Sequence, residues 1–172
     1  MITVLDIETT SRGPKRSPSP FYPENYLVSV GYKAIDIEEY FCFKHDTEPS
    51  NPCARDYLDE QLAKTTLLIG HNIKFDLSWL LECGFEYSGK VYDTMIYEYL
   101  KSGGMHDNLD LSSCCRRYGI SEKTKEITSL FENKIGFESI DWKLVEKYGR
   151  NDVRITYELF QAQQGGSYAK SS

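Results

Sequence analysis

The sequence predicts an α/β fold in which helices flank a mixed β-sheet. Three β-rich segments come first, and shorter β-rich segments then alternate with stretches of helical periodicity. The chain has 172 residues, of which 40% are hydrophobic, and this is enough for one hydrophobic core. No internal repeat or second core is visible, so we predict a single folded domain over residues 1–162. Residues 163–172 are polar and contain Gly and Ser, and we predict a flexible tail there.

The first three strands are predicted from runs of β-branched and aromatic residues at 2–6, 26–33 and 39–44. A turn near residues 35–36 joins the second strand to the third, and the three strands together suggest an antiparallel meander. The segment 11–25 contains four prolines, so we expect a loop there with no strand or helix.

From residue 54 onward, helices and strands are predicted to alternate. The predicted elements are a helix at 54–64, a strand at 66–70, a helix at 73–82, a strand at 91–93, a helix at 94–101, a helix from Asn108 or Asp110 to Tyr118, and a helix from 142 to about 161. Asn72 and Asp141 are expected to cap the helices that follow them. Residues 121–140 fit either helix or loop, with helical character near 127–133.

The formal net charge of −6 argues against a large basic surface that follows duplex DNA. It does not exclude a nucleic-acid enzyme, because two bound divalent cations add about four positive charges locally and a short single-stranded end needs few phosphate contacts. Positive charge is concentrated in the proline-rich segment, where Arg12, Lys15 and Arg16 form a small cluster.

The cysteine and histidine pattern favours an intracellular protein without a zinc site. Five Cys residues are an odd number with no CxxC pair, and the three His residues are scattered. No signal peptide is visible, and no apolar run approaches the roughly 20 residues that span a bilayer. We therefore expect a soluble, cytoplasmic protein with no membrane partner.

Asp6 and Glu8 form the first acidic motif, at the end of the first predicted strand. They are two residues apart, so they face the same side of the sheet. Like charges on one strand face repel, and a divalent cation bound between them would offset the repulsion. The alternative is that the strand frays at this point and both carboxylates are solvated.

The second acidic motif is Asn72-Ile-Lys-Phe-Asp76, at the start of a predicted helix. Asn72 and Asp76 are one turn apart on one helix face, and Asp76 lies beside the apolar Leu77. Two interpretations are open at this point. Asp76 is either an inward-facing carboxylate or an exposed first-turn residue that the helix dipole favours.

The last predicted helix gives the clearest signal of an inward-facing carboxylate. Five of its residues recur at spacings of 3, 4, 3 and 4, the pattern of a stripe that faces the core: Val145, Tyr148, Asp152, Ile155 and Leu159. A solvated face does not explain Asp152, because its neighbours on the stripe are large and apolar. A hydrogen bond from Tyr148 could satisfy the acid by itself.

The three motifs are most economically explained together. They place four carboxylates from separate segments on inward faces, and metal ions would neutralise them: Asp6, Glu8, Asp76 and Asp152. Oxygen ligands without Cys or His select hard cations, so the sequence predicts Mg²⁺ or Mn²⁺ rather than zinc.

The three segments resemble the Exo I, Exo II and Exo III motifs of the DEDD 3′→5′ exonuclease superfamily. The spacing Tyr148-x-x-x-Asp152 resembles the tyrosine subclass, which occurs in proofreading domains of family A and B DNA polymerases. The likeness extends to about Leu159 and is nearest to phage-type family A polymerases, although the proline-rich segment departs from compact members. Three further segments also resemble the family: Asp93-Thr94, Leu109-Asp-Leu111 with Tyr118-Gly119, and Asn151-Asp152-Val153.

The resemblance implies a ribonuclease H-like fold, in which parallel strands extend the antiparallel meander. It implies a 3′→5′ exonuclease that acts on single-stranded or frayed 3′ ends of DNA and releases nucleoside 5′-monophosphates. Proofreading during DNA replication is the implied biological role. A polymerase domain or replication proteins are the implied partners, and a phage protein would act in the bacterial host cytoplasm.

The resemblance also implies a role for each site residue. Two divalent ions, Mg²⁺ or Mn²⁺, would be held by Asp6, Glu8, Asp76 and Asp152, where they activate water and stabilise the leaving oxygen. Tyr148 would orient the attacking water, because its ordinary pKa near 10 prevents it from acting as the base. The implied substrate contacts are Thr9, Asn72 and Phe75.

Several alternatives remain open from the sequence. The chain could be an RNA exonuclease of the same superfamily, although RNA members usually carry extra helical RNA-binding domains. It could be a catalytically inert module that binds the 3′ ends of nucleic acids without hydrolysing them. It could be a free-standing enzyme or one domain of a polymerase. The cluster Arg12, Lys15 and Arg16 could steer the strand or simply be a solvated loop.

Overall fold

The computed structural model describes residues 1–105, 108–121 and 125–165, which form a five-stranded sheet with helices packed against it. The strands are β1 (Ile2–Thr9), β2 (Leu27–Lys33), β3 (Glu38–Cys42), β4 (Leu67–Gly70) and β5 (Lys90–Asp93). The helices are α1 (Ala54–Lys64), α2 (Ile73–Glu82), α3 (Thr94–Lys101), α4 (Leu111–Arg117), α5 (Lys125–Glu132) and α6 (Trp142–Gln163). No helix in the described ranges is long and apolar enough to cross a membrane.

The sheet is mixed, with strand order β3-β2-β1-β4-β5. The pairs β1–β2 and β2–β3 are antiparallel, whereas β1–β4 and β4–β5 are parallel. The predicted meander and its extension by parallel strands are therefore confirmed. Because β1, β4 and β5 run in the same direction, their carboxyl ends meet at one edge of the sheet.

The predicted helices are observed, and two of them, α4 and α6, have the caps that the sequence suggested. Helices α1, α2 and α3 begin and end at the predicted residues. Asp110, rather than Asn108, caps α4, since its Oδ1 accepts a hydrogen bond from Ser113 N at 2.9 Å. Asp141 caps α6 in the same way, through Lys143 N at 3.1 Å. The ambiguous region contains the short helix α5.

The expectation that segment 11–25 contains no helix is wrong, because Pro14–Arg16 forms one 3₁₀ turn. Proline is tolerated at the first position of such a turn, where its missing N–H needs no partner. The buried Asn25 organises the surrounding loop. Its Oδ1 accepts hydrogen bonds from Thr10 Oγ1 at 3.0 Å and from Arg12 N at 2.7 Å.

The last helix extends further than the sequence predicted. Gln163, which was assigned to the flexible tail, ends α6 and is buried. Its amide donates hydrogen bonds to Thr94 O and to Glu98 Oε1, both at 3.0 Å, and these anchor the helix end to α3. Most of the predicted tail, residues 166–172, lies outside the described residues, so its flexibility stays a prediction.

Strand β1 separates two packed layers. Leu5 and Ile7 point into the main core, which α1 and α2 cover. Val4 lies on the opposite face, where it packs with Ile69 and with Val153 of α6. Side chains alternate along a strand, so Asp6 and Glu8 share the face that α6 covers.

Two glycines allow α6 to lie very close to the sheet. A Cβ added at Gly149 of α6 would be 2.1 Å from the nearest ring carbon of Tyr40, which is on β3. A Cβ added at Gly31 of β2 would be 3.0 Å from Val153 Cγ1 and 3.4 Å from Gly149 O. Gly31 is also the residue that pairs with Asp6 across the sheet. The absence of two side chains therefore sets the distance between α6 and the acidic end of β1.

We predict that Gly149→Ala destabilises the protein, even though Ala favours a helix by about 1 kcal/mol over Gly. The new methyl group would overlap the buried Tyr40 ring, and overpacking of this kind costs about 1–3 kcal/mol. The free energy of unfolding in urea measures the effect. In a Tyr40→Ala background the ring is absent, so there Gly149→Ala should be neutral or stabilising. A stabilising effect in the wild-type background would contradict the close packing.

Candidate active site

Three of the four predicted carboxylates meet in space. Asp6 and Glu8 of β1 and Asp152 of α6 each offer one carboxylate oxygen, and these oxygens lie within 4.8 Å of one another. Glu8 is 9% exposed, Asp152 is 4% exposed and Asp6 is half-buried. The solvated alternative for Asp6 and Glu8 is therefore wrong. An oxygen-only donor set of this size fits a hard divalent cation such as Mg²⁺ or Mn²⁺.

Asp76 approaches the same cluster from the other side of β1. It lies in the first turn of α2 and is only 3% exposed, so the interpretation of an exposed first-turn acid is wrong. Its Oδ1 accepts a hydrogen bond at 3.0 Å from the backbone N–H of Ile7, the residue between Asp6 and Glu8. Burial raises the pKa of the Asp76 carboxyl well above its usual range, and the negative charge of Asp6 raises it further.

Tyr148 lies one helical turn before Asp152 and is half-buried. Burial is the main cause that raises the pKa of the Tyr148 hydroxyl far above its ordinary value, followed by the negative charge of Asp152. A hydrogen bond to Asp152 acts in the same direction. The Tyr148 ring packs against Phe137 with ring centroids 5.7 Å apart. The hydroxyl is therefore neutral and serves as a hydrogen-bond donor.

The carboxylates and Tyr148 face one cleft of about 460 Å³. The predicted substrate contacts Asn72 and Phe75 line this cleft, but Thr9 does not. Thr9 instead lines a neighbouring cavity of about 250 Å³, next to Phe137 and Glu138. The cleft also contains residues for which the sequence suggested no role there: Ile7, His71, Met95, Leu109, Asp110 and Leu111.

The expectation that Asn72 caps α2 is wrong. Asn72 occupies the cap position with a left-handed backbone, φ 61° and ψ 47°, and its side chain makes no capping hydrogen bond. The cap comes from Asp93, at the end of β5, whose carboxylate accepts from Asn72 N at 3.0 Å and from Ile73 N at 3.1 Å. No local sequence pattern could show this cap, because β5 meets the start of α2 only in the folded sheet.

His71 is one of the cleft residues to which the sequence assigned no role. Its Nδ1 lies 2.8 Å from Thr94 Oγ1, and its Nε2 lies 2.7 Å from Leu109 O. The carbonyl can only accept, so Nε2 carries a proton. His71 thereby connects the end of β4 to α3 and to the segment that leads into α4.

The fold is found in several solved nucleases. A nuclease solved in its apo form aligns with a TM-score of 0.69 at 17% identity, over 95% of this chain and 72% of that chain. Brucella melitensis NrnC with bound Mg²⁺ aligns with a TM-score of 0.64 at 17% identity, over 95% of this chain and 72% of NrnC. The family B DNA polymerase of the archaeon Pyrobaculum calidifontis aligns with a TM-score of 0.67 at 18% identity, over 95% of this chain and 24% of the polymerase. These similarities confirm the ribonuclease H-like fold.

The family itself is shown by a comparison of sequence. A model of the 3′-5′ exonuclease family matches residues 5–164, which is nearly the whole chain. The chain belongs to this 3′-5′ exonuclease family, and the resemblance to the DEDD superfamily is confirmed. It is a nuclease of the hydrolase class, and its family uses divalent metal ions and binds the 3′ ends of nucleic acids.

We predict that Asp76→Asn makes the stability of the metal-free protein less dependent on pH. The folded state holds the Asp76 proton to a higher pH than the unfolded chain, whose Asp pKa is about 3.9. The folded state therefore binds more protons, and stability falls as pH rises through the range between the two pKa values. Asparagine keeps the Oδ1 acceptor for Ile7 but does not titrate. Urea unfolding in EDTA at several pH values tests this, and an equally steep decrease in the variant would contradict it.

Proposed function

We propose that this nuclease removes nucleotides from the 3′ end of single-stranded DNA and releases nucleoside 5′-monophosphates. The observation that carries the proposal is the carboxylate cluster of Asp6, Glu8 and Asp152, with Asp76 and Tyr148 facing the same cleft. The similarity to the family B DNA polymerase supports DNA as the substrate. Proofreading of a growing DNA strand is the proposed role.

The carboxylates are proposed to hold two divalent ions, Mg²⁺ or Mn²⁺. Asp6, Glu8 and Asp152 would hold one ion. Asp6 would also contact the second, with Asp76 holding it directly or through water. The chemistry that divalent ions supply at such a site is activation of water and stabilisation of charge on the leaving oxygen. Because the acids lie on α2, α6 and the central strand, their positions are set by rigid elements.

Tyr148 is proposed to orient the attacking water through its hydroxyl group. Its raised pKa keeps the proton on the oxygen, so Tyr148 donates a hydrogen bond and does not act as a base. The amide of Asn72 and the ring of Phe75 are proposed to contact the terminal nucleotides, because both line the cleft. Thr9 follows Glu8 and would contact the substrate from the neighbouring cavity.

The proposed partners are the frayed 3′ ends of DNA together with a polymerase domain or other replication proteins. The support is that the polymerase relative contains this fold as about a quarter of its chain. The cytoplasm, of a bacterial host in the case of a phage protein, is the proposed location.

The second candidate function is digestion of RNA, and one specific observation favours it. Brucella melitensis NrnC bound to pGG aligns over 98% of this chain with a TM-score of 0.60 at 17% identity. This relative supports RNA, in the form of a short oligonucleotide, as the alternative substrate.

The test is digestion of 3′-labelled single-stranded DNA and of RNA with the same sequence, with Mg²⁺ and with EDTA. We expect wild-type protein to release labelled mononucleotides from DNA in Mg²⁺ and none in EDTA. Asp6→Ala and Asp152→Ala should each lower the rate by more than about 10³-fold while the circular dichroism spectrum is unchanged. Faster digestion of RNA than of DNA would replace the first candidate with the second. Wild-type rates for Asp6→Ala would contradict the metal assignment.

Tyr148→Phe should lower kcat by only about 10- to 10²-fold, because it removes one hydrogen bond at a charged site and leaves the carboxylates in place. Initial rates at saturating single-stranded DNA measure the effect. Phe137→Leu is the matched control, since it disturbs the ring contact with Tyr148 but keeps the hydroxyl group. A loss for Tyr148→Phe equal to that of Asp152→Ala would show that the hydroxyl does more than orient water.

A further inference from the structure

The Asp93 carboxylate accepts hydrogen bonds from the first residues of two helices, α2 and α3. No local sequence pattern indicates that one side chain serves both. Its Oδ1 accepts hydrogen bonds from Asn72 N at 3.0 Å, from Met95 N at 2.9 Å and from Ile96 N at 3.4 Å. Its Oδ2 accepts from Ile73 N at 3.1 Å. The carboxylate therefore satisfies N–H groups at the start of α2 and of α3, which have no partner inside their own helices.

The sheet brings Asp93 to this position. Asp93 pairs with Gly70, the last residue of β4, and the chain then passes through His71 and Asn72 into α2. A carboxylate at the end of β5 thus lies beside the turn that leads into the neighbouring helix. It is outside the cluster formed by Asp6, Glu8 and Asp152.

Asn72 has a backbone conformation that needs support from its surroundings. A left-handed conformation is unfavourable for residues other than glycine, although Asn tolerates it better than most. A hydrogen bond from Asn72 N to Asp93 favours this conformation. Because Asp93 caps α2, the side chain of Asn72 is not used as a cap and lines the cleft instead.

We propose that Asp93 is a positioning residue for the exonuclease site. It holds Asn72 in the left-handed conformation and fixes the first turn of α2, so that the Asn72 amide and the Asp76 carboxylate face the cleft. The role rests on the proposed function, because Asn72 is the group through which Asp93 acts on the DNA strand.

A double-mutant cycle tests whether Asp93 acts through Asn72. KM for a single-stranded DNA oligonucleotide is measured for wild type, Asp93→Ala, Asn72→Ala and the double variant. We expect each single variant to raise KM by about 10-fold, the equivalent of one lost hydrogen bond, and the double variant to be no worse than the poorer single one. A double variant with a KM increase near 10²-fold would mean independent effects and would overturn the proposal.

Two matched variants separate positioning from simple loss of a helix cap. Asp93→Asn keeps an oxygen that can accept the three hydrogen bonds made by Oδ1. We therefore expect its KM to be much closer to that of wild type than the KM of Asp93→Ala. Asp141→Ala also removes an aspartate cap, but that cap serves only the start of α6, and its KM should stay within about 2-fold of wild type. An equal rise in KM for Asp141→Ala and Asp93→Ala would indicate a general effect of lost stability.

Amide hydrogen exchange in EDTA gives a readout that does not depend on activity. In Asp93→Ala, the amides of Asn72 and Ile73 should exchange at least 10-fold faster, while those in the middle of α6 should be unchanged. Unchanged exchange at Asn72 and Ile73 would overturn the proposal even if KM rises. If wild type digests neither DNA nor RNA, the proposed function fails, whereas the exchange experiment still decides whether Asp93 positions α2.

Discussion

The close contact between α6 and the sheet is the constraint on which the site depends. Gly31 and Gly149 lack the side chains that would hold the two layers apart, so the helix backbone lies directly over β2. Asp6 pairs with Gly31, and Asp152 is one turn from the glycine of α6 that contacts Tyr40. The same contact that packs the core therefore brings a helical carboxylate to the strand carboxylates.

Burying these acids opposes folding, and the surrounding structure offsets that cost. Three carboxylates with oxygens within 4.8 Å repel one another, and burial of Asp76 adds to the cost because it disfavours the charged form. The Ile7 N–H stabilises Asp76 directly. The Tyr148 hydroxyl donates a hydrogen bond to Asp152, and the apolar core and the polar network at the end of α6 stabilise the fold elsewhere. The site is therefore a local source of instability that the fold tolerates.

The far end of α6 is anchored by a buried polar network that connects three helices. Glu98 of α3 is buried and forms an ion pair with Arg117 of α4 at 3.6 Å. It also accepts hydrogen bonds from Tyr118 and from Gln163 at the end of α6. Partners of this kind offset the cost of burying a carboxylate. The network explains why α6 continues to Gln163, because that side chain completes the hydrogen bonding of Glu98.

The sequence by itself determined the class of fold and the identity of the chemical groups. Strand and helix patterns are local, so most elements could be predicted, and the apolar stripe of α6 showed that Asp152 faces inward. Only the tertiary structure decided which groups cooperate. It assigned the cap of α2 to Asp93 rather than Asn72, gave His71 its contacts and placed Thr9 in a separate cavity. The physical reason is that these contacts join residues on different strands and helices, and their geometry depends on sheet register and on the distance between layers. Neither quantity is encoded in any single stretch of the chain.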